Sequence, residues 1–176
     1  MAKGFLYGVL TVIVAGLLGA FLFVTRGWMP ANADAAPPML ERWMARASLR
    51  ATLQREALQA PNPAAFNDEN LIAGIKLYAV NCAVCHGASD GNASNIAKGL
   101  YQHAPQLAQH GVTDDPEGKI YWFVKHGVRL TGMPAYTGSL TDQQIWQVVL
   151  FLKHMDGLTA EANKAWKEVP NQGAKI

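Results

Sequence analysis

The segment Ala79–Gly87, AVNCAVCHG, holds both cysteines of this 176-residue chain. Two residues separate Cys82 from Cys85, and His86 follows directly. Cysteine pairs at this spacing occur in thioredoxin-type dithiols, in halves of zinc sites and at attachment points of c-type haem. The choice among these uses decides the fold, because a covalently held haem supplies much of the core that a small domain lacks.

The neighbours of the two cysteines distinguish these three uses. A dithiol reductant needs a βαβ context and gives His86 no role. A zinc site needs four ligands, usually drawn from two such pairs, and the chain has only one pair. For haem, each thiol adds to one of the two vinyl groups of the porphyrin, and His86 offers an imidazole to the iron. The motif therefore predicts one c-type haem attached through Cys82 and Cys85.

The overall composition argues against binding to nucleic acid. The chain carries 15 basic and 13 acidic side chains, a formal net charge of +2, and no long basic run. A nucleic-acid surface needs clustered positive charge. Half of the residues are hydrophobic, and much of this excess lies near the N-terminus.

An uncharged run from Phe5 to Thr25 predicts a membrane anchor over residues 1–30. At about 1.5 Å rise per residue, this run crosses the roughly 30 Å of bilayer hydrocarbon. A cleaved signal peptide is the alternative, since residues 31–35 (ANADA) contain small-x-small cleavage patterns. We favour the retained anchor, because the run exceeds a signal-peptide core and Arg26 separates it from the alanines. Under either interpretation, we expect the rest of the chain to be exported.

Residues 31–65 predict a linker that contains one basic helix, over residues 39–58. Prolines and small residues before and after this helix discourage regular structure, whereas residues 39–58 contain neither glycine nor proline. Arg42, Arg46 and Arg50 recur at every fourth position and so share one helix face. This face either docks on anionic lipid or an acidic partner, or it is simply solvated, which is the interpretation we favour.

The compact domain is predicted over residues 66–157, as short helices without strands, with residues 158–176 left as a C-terminal tail. Capping and stop signals place the helix boundaries. The signals are Asn67 or Asp68 before the first helix, Asp115 as the N-cap of the second with Pro116 at its first position, Gly127 at its end, and Thr141 with Gln144 at the start of the last. Such short helices bury little apolar surface, so we expect a cofactor in the middle.

A second axial ligand for the iron is expected from Met133. Met133 is the one methionine within a loop of the predicted domain, between Gly132 and Pro134. A methionine that only fills a core seldom lies between glycine and proline. The competitors are four histidines, of which the first is the most serious: His126, His103, His110 and His154.

The pattern resembles the class I c-type cytochromes, which are monohaem, His/Met-ligated electron carriers. The resemblance rests on Gly74 and Tyr78 before the Cys82–His86 motif, on Pro105-Gln106-Leu107, on Gly132-Met133-Pro134-Ala135-Tyr136 and on Leu140-Thr141-Asp142. It implies an all-α fold of short helices around one haem, to which the N-terminal transmembrane helix is added. In that family the helix glycine, here Gly74, permits a close crossing with the last helix. The carbonyl of the proline, here Pro105, holds the second ring nitrogen of the histidine.

The resemblance also implies a function. It predicts one-electron transfer by a carrier that is not an enzyme by itself, although it can be a subunit of a larger oxidoreductase. Expected partners are a dehydrogenase, a quinol-oxidising complex or a terminal oxidase, and the lipid bilayer. The expected location is the bacterial inner membrane, single-pass, with the haem domain periplasmic. The alternatives are a haem sensor or peroxidase-like protein with a displaceable Met133, and a membrane thiol reductant without haem.

Overall fold

The computed structural model describes residues 2–171, which form eight α-helices and no strand. A 3-10 turn at Met155–Gly157 joins the last two helices. The helices are α1 (Ala2–Thr25), α2 (Met39–Glu56), α3 (Asp68–Asn81), α4 (Ala83–His86), α5 (Asn95–Gly99), α6 (Glu117–His126), α7 (Asp142–Lys153) and α8 (Ala160–Lys167). The all-α fold class is confirmed. The chain divides into two compact units, Met1–Ala35 and Ala36–Ile176.

Helix α1 forms the first unit and is long and apolar enough to cross a membrane. None of its residues is buried by the protein. The hydroxyl groups of Thr11 and Thr25 donate to the carbonyl groups of Tyr7 and Phe21, one turn earlier. These bonds satisfy the two threonine hydroxyl groups within the helix itself, which suits a hydrocarbon environment.

The core of the second unit is the crossing of α3 and α7 at Gly74. A Cβ atom on Gly74 would lie 2.1 Å from the carbonyl oxygen of Gln147 and 3.2 Å from Cβ of Phe151. Only a residue without a side chain permits this approach, so the expectation for Gly74 is confirmed. The crossing buries Leu71, Ile75 and Tyr78 of α3 with Ile145, Val148, Val149 and Phe151 of α7.

Two of the three helix starts that were predicted from capping signals are confirmed. Asn67 accepts a hydrogen bond from a backbone N–H at the start of α3, and Thr141 and Gln144 form a complete capping box at α7. Helix α6 is the exception, because its N-cap is Pro116 and the helix begins one residue later than predicted. The carboxylate of Asp115 forms an ion pair with a lysine on the first turn of α6, and it provides no cap.

Helix α8 packs onto the core, in the segment that the sequence analysis set apart as a tail. Its Trp166 is 6% exposed. The Trp166 ring lies 5.5 Å from that of Tyr78 and 5.0 Å from that of Phe151, measured between ring centroids. The sequence did not predict this helix, because eight residues are too few to show a clear apolar period.

Helix α2 lies against the same unit and ends at Glu56, two residues before the predicted end. At its first turn, Glu41 accepts a hydrogen bond from the hydroxyl of Tyr101 (2.7 Å). At its last turn, Glu56 accepts one from the indole N–H of Trp122 (3.2 Å). Both ends of α2 are therefore fixed to the domain that contains the haem-attachment motif.

Candidate functional site

One cleft in the second unit brings together the four residues expected to bind the cofactor: Cys82, Cys85, His86 and Met133. Residues 81–86 and 100–105 supply one part of its wall, and residues 124–136 supply the other. Most of the remaining lining is apolar and includes Leu100, Ala104, Pro105, Val124, Val128 and Pro134. An apolar cleft with two thiols and an imidazole on its wall fits the flat, largely apolar ring of a c-type haem.

The attachment motif forms a tight turn directly after α3. The N–H of His86 donates to the carbonyl of Cys82 (2.9 Å), which closes the one-turn helix α4. Gly87 then adopts a φ of +79°, a conformation that glycine favours, and the chain leaves the turn. The buried hydroxyl of Tyr78 donates to the carbonyl of Gly87 (2.8 Å). The turn is thereby fastened to the core, and both thiols remain at the cleft.

The imidazole of His86 is oriented by the backbone of a distant loop. Its Nδ1 lies 2.9 Å from the carbonyl oxygen of Pro105, which can only accept. Nδ1 therefore carries the proton, and Nε2 keeps its lone pair. Burial lowers the pKa of His86, and the hydrogen bond to Pro105 only partly opposes this. The ring is neutral at physiological pH, which is the form that binds a metal.

The buried thiol of Cys82 favours an uncharged sulfur. Burial, together with the nearby Cys85, raises the pKa of Cys82 to about 12, so its thiol stays protonated. A dithiol reductant and a zinc site both use thiolates, whereas a thioether to haem carries no charge. Within residues 2–171, no group of three or more His, Cys, Asp or Glu side chains is placed to hold a metal ion. The uncharged thiol of Cys82 therefore fits a thioether to haem better than it fits a thiolate chemistry.

The loop that carries Met133 returns closely onto the end of α6. Gly127 ends α6 with a φ of +64°, and a Cβ atom there would lie 2.5 Å from the carbonyl carbon of Pro134. Across this contact the N–H of Val128 donates to the carbonyl of Met133 (3.2 Å). Leu130, within the loop, also has a left-handed φ of 61°, which is strained for leucine. The backbone around Met133 is thus tightly constrained.

A second contact ties this loop to the attachment motif. The hydroxyl of Tyr136 donates to the carbonyl of Asn81 (2.7 Å), at the last residue of α3. Leu100 closes the cleft beside Met133, because its Cδ2 would lie 2.6 Å from a Cβ atom on Gly132. The sequence analysis gave neither Tyr136 nor Leu100 a role in the site. Tyr136 ends the Gly132–Tyr136 segment and could have been assigned to the site from that motif, whereas no sequence signal marks Leu100.

The structure separates the competing ligand candidates. His126 packs against Trp122 (5.2 Å between ring centroids), and His154 packs against Phe66 (4.6 Å). Neither of them lines the cleft, and neither do His110 and Met155. His103 does line it, on the segment that also holds Pro105. His103 is therefore the one histidine, apart from His86, that competes with Met133 by position.

Comparison with known proteins agrees with this site. The family described as "Cytochrome C oxidase, cbb3-type, subunit III" matches residues 69–152. Cytochrome c6 of Parathermosynechococcus lividus is 37% identical over 83 residues, which is 47% of this chain and 87% of the relative. The chain belongs to the class I c-type cytochromes. Cytochrome c6 of Leptolyngbya boryana is 38% identical over 94 residues, which is 53% of this cytochrome and 95% of the relative.

Family membership establishes the cofactor and the general role of this cytochrome. It carries one covalent c-type haem, which the Cys82–His86 motif fits, and it is an electron carrier. The family match leaves α1, α2 and α8 outside its limits. No solved structure gives a significant match to the chain.

Proposed function

We propose that this cytochrome carries single electrons between respiratory membrane proteins, with His86 and Met133 as the two axial ligands of its iron. When bound, the haem supplies a one-electron ferric/ferrous couple. The observation that carries the proposal is the shared cleft, in which a neutral imidazole with a free Nε2 and a constrained methionine loop meet. His86 and Met133 would together hold the iron, which would leave no position on it for a substrate.

The proposed ligands and the cleft lining favour a high reduction potential. The thioether of Met133 is a soft and weak donor, which favours ferrous over ferric iron. The apolar lining disfavours the additional positive charge of the oxidised state. The hydrogen bond from His86 to Pro105 acts in the opposite direction, because it makes the imidazole a stronger donor.

We further propose that α1 anchors the protein in the bacterial inner membrane, with residues 36–176 on the periplasmic side. The length and apolar character of α1 support the anchor, and covalent attachment of haem through this motif is expected outside that membrane. An anchored carrier has a raised effective concentration near membrane partners. Among a dehydrogenase, a quinol-oxidising complex and a terminal oxidase, the match to a cytochrome oxidase subunit favours the oxidase.

Substitution of Met133 tests the proposed ligation. In the full-length protein, Met133→Ala is expected to keep covalent haem and to lose the near-infrared charge-transfer band of methionine-ligated ferric haem. Met133→His is expected to keep a six-coordinate iron and to lower the midpoint potential, because imidazole is the stronger donor. Met155→Ala, outside the cleft, is the matched control and should leave both properties unchanged.

Two results would contradict the proposal. If Met133→Ala kept the band while His103→Ala removed it or shifted the potential, the ligand would be misassigned. A five-coordinate spectrum of the unsubstituted protein would instead favour the haem sensor or peroxidase-like alternative. A thiol reductant without haem is tested by haem staining after denaturing electrophoresis, in which covalently held haem stays with the chain.

A further inference from the structure

The outward face of α2 carries a row of exposed apolar side chains, which we name the α2 stripe: Leu40, Trp43, Met44, Ala47 and Ala51. Their spacing places them on one side of the helix. Leu40 and Trp43 are each 64% exposed, and Met44 is 51% exposed. A single exposed leucine is ordinary on a protein surface, but a continuous apolar row of this kind marks an interaction surface.

The stripe does not serve the fold of the haem domain. Another face of α2 makes the contacts with that domain, where Leu49 and Leu53 are half-buried. The bonds of Glu41 to Tyr101 and of Glu56 to Trp122 fix both ends of the helix. The orientation of α2 on the domain is therefore set, and the stripe stays exposed among residues 36–171.

Positive charge lies on one flank of the stripe. Arg46 and Arg50 are exposed there, and no ion pair formed within residues 2–171 involves them. Arg42 lies seven residues before Leu49 and so shares the opposite face of the helix. A helix with Trp, Met and Leu on one side and arginines beside them is typical of helices that lie in the membrane interface. The tryptophan suits the boundary between headgroups and acyl chains, and the guanidinium groups suit anionic phosphates.

The chain also limits how far α2 can lie from the membrane. Only residues 26–38 connect α1 to α2, and an extended segment of this length spans at most about 45 Å. A helix α1 that crosses the bilayer therefore leaves the start of α2 within reach of the bilayer surface. This step rests on the proposed membrane anchor.

We propose that the α2 stripe inserts into the headgroup region of the bilayer that α1 spans, and that Arg46 and Arg50 bind anionic lipid there. The Glu41–Tyr101 bond joins the start of α2 to the segment that leads into the cleft wall at residues 102–105. Seating of α2 on the membrane then fixes how the haem cleft faces the surface. The haem domain does not swing freely on its tether.

Depth measurement by electron paramagnetic resonance tests this proposal in the full-length, haem-loaded protein. The two native cysteines are consumed by haem attachment, so one introduced cysteine is the single free thiol for a nitroxide label. Met44→Cys reports the stripe, Asn163→Cys at an exposed position of α8 is the aqueous control, and Val14→Cys reports α1. The vesicles contain phosphatidylcholine with or without phosphatidylglycerol, and the haem is kept in its diamagnetic ferrous form.

Collisions with oxygen, which partitions into lipid, and with a water-soluble nickel chelate give the depth of each label. In vesicles with phosphatidylglycerol, we expect the oxygen-to-nickel accessibility ratio at position 44 to exceed the ratio at position 163 several-fold. Replacement of Arg46 and Arg50 by glutamine should reduce the ratio at position 44, and this reduction should be largest at low salt because exposed charges are screened at high salt.

Three outcomes would overturn the proposal. If position 14 lies in the bilayer while position 44 is as open to the nickel chelate as position 163, the anchor stands and the stripe proposal fails. Protection of position 44 in native membranes but not in pure lipid vesicles would identify a protein as its occupant. A water-exposed position 14 would remove the anchor itself, and both proposals would fail.

Discussion

The Nδ1 atom of His86 lies 2.9 Å from the carbonyl oxygen of Pro105, nineteen residues further along the chain. The pyrrolidine ring fixes φ at Pro105, which limits the directions that this carbonyl can take. A backbone group of restricted freedom thus sets the tautomer and the rotation of the imidazole. The contact links the local cysteine–histidine motif to the loop that contains Pro105. The motif alone does not specify this loop.

Replacing Pro105 by glycine is expected to raise the midpoint potential. The more flexible loop weakens the hydrogen bond to Nδ1, the imidazole becomes a poorer donor, and ferric iron loses stabilisation. Potentiometric titration of the haem-loaded protein measures the change. Pro61→Gly, in the exposed loop between α2 and α3, is the control and should leave the potential unchanged. A potential that does not respond to Pro105→Gly would remove the proposed tuning role of this carbonyl.

Replacing Gly74 by alanine should destabilise the protein by about 1–3 kcal/mol, because the new methyl group would overlap the carbonyl of Gln147 on α7. Urea unfolding followed by far-ultraviolet circular dichroism gives the change in unfolding free energy. Gly99→Ala is the matched control, since a Cβ atom there meets no other group within 4 Å. Its effect should stay within about 0.5 kcal/mol. Equal effects at both positions would show that the crossing is not the constraint.

Replacing Trp166 by alanine should cost about 3–5 kcal/mol, the usual range for a buried tryptophan. The ring fills the space beside Tyr78 and Phe151, and its loss leaves a cavity against the core of α3 and α7. Lys167→Ala, at the exposed neighbouring position, is the control for helix α8 and should change stability little. A loss below about 1 kcal/mol for Trp166→Ala would mean that α8 contributes little to the folded unit.

Replacing Tyr136 by phenylalanine should loosen the loop that carries Met133. The substitution leaves the carbonyl of Asn81 without this donor, at a cost of about 1 kcal/mol. With a looser loop, competing ligands reach the iron more easily, so the methionine charge-transfer band should vanish at a lower pH during alkaline titration. Tyr101→Phe removes a comparable hydroxyl bond, to Glu41, and should not move that pH. An identical shift in both variants would argue against a specific role for Tyr136.

The site was predictable because it uses residue types with restricted chemistry and geometry. The Cys82–His86 motif indicates its cofactor, a c-type haem, and Gly132-Met133-Pro134 places a thioether in a loop. Placing Met133 on the wall of the cleft, apart from His126 and His154, required the fold, because no local pattern shows which loop returns to the motif.

The parts of the fold that the sequence did not predict depend on long-range packing. Helix α5 has five residues and α8 has eight, which is too short for an apolar period to stand out. The N-cap of α6 lies one residue later than predicted, because the Asp115 carboxylate pairs with a lysine side chain and does not cap the helix. Local propensity does not decide between these two partners for the carboxylate. Leu100 joins the cleft only through its contact beside Gly132.

The edge-to-face packing of Trp166 on Tyr78 has a consequence for how the protein is made. Tyr78 lies one turn before the attachment motif, but its partner is supplied by α8, the last helix among residues 2–171. The core around the motif is not complete until the segment that carries Trp166 has emerged, since contacts between distant residues form late in folding. We therefore expect Cys82 and Cys85 to remain open to the machinery that attaches haem throughout synthesis and export.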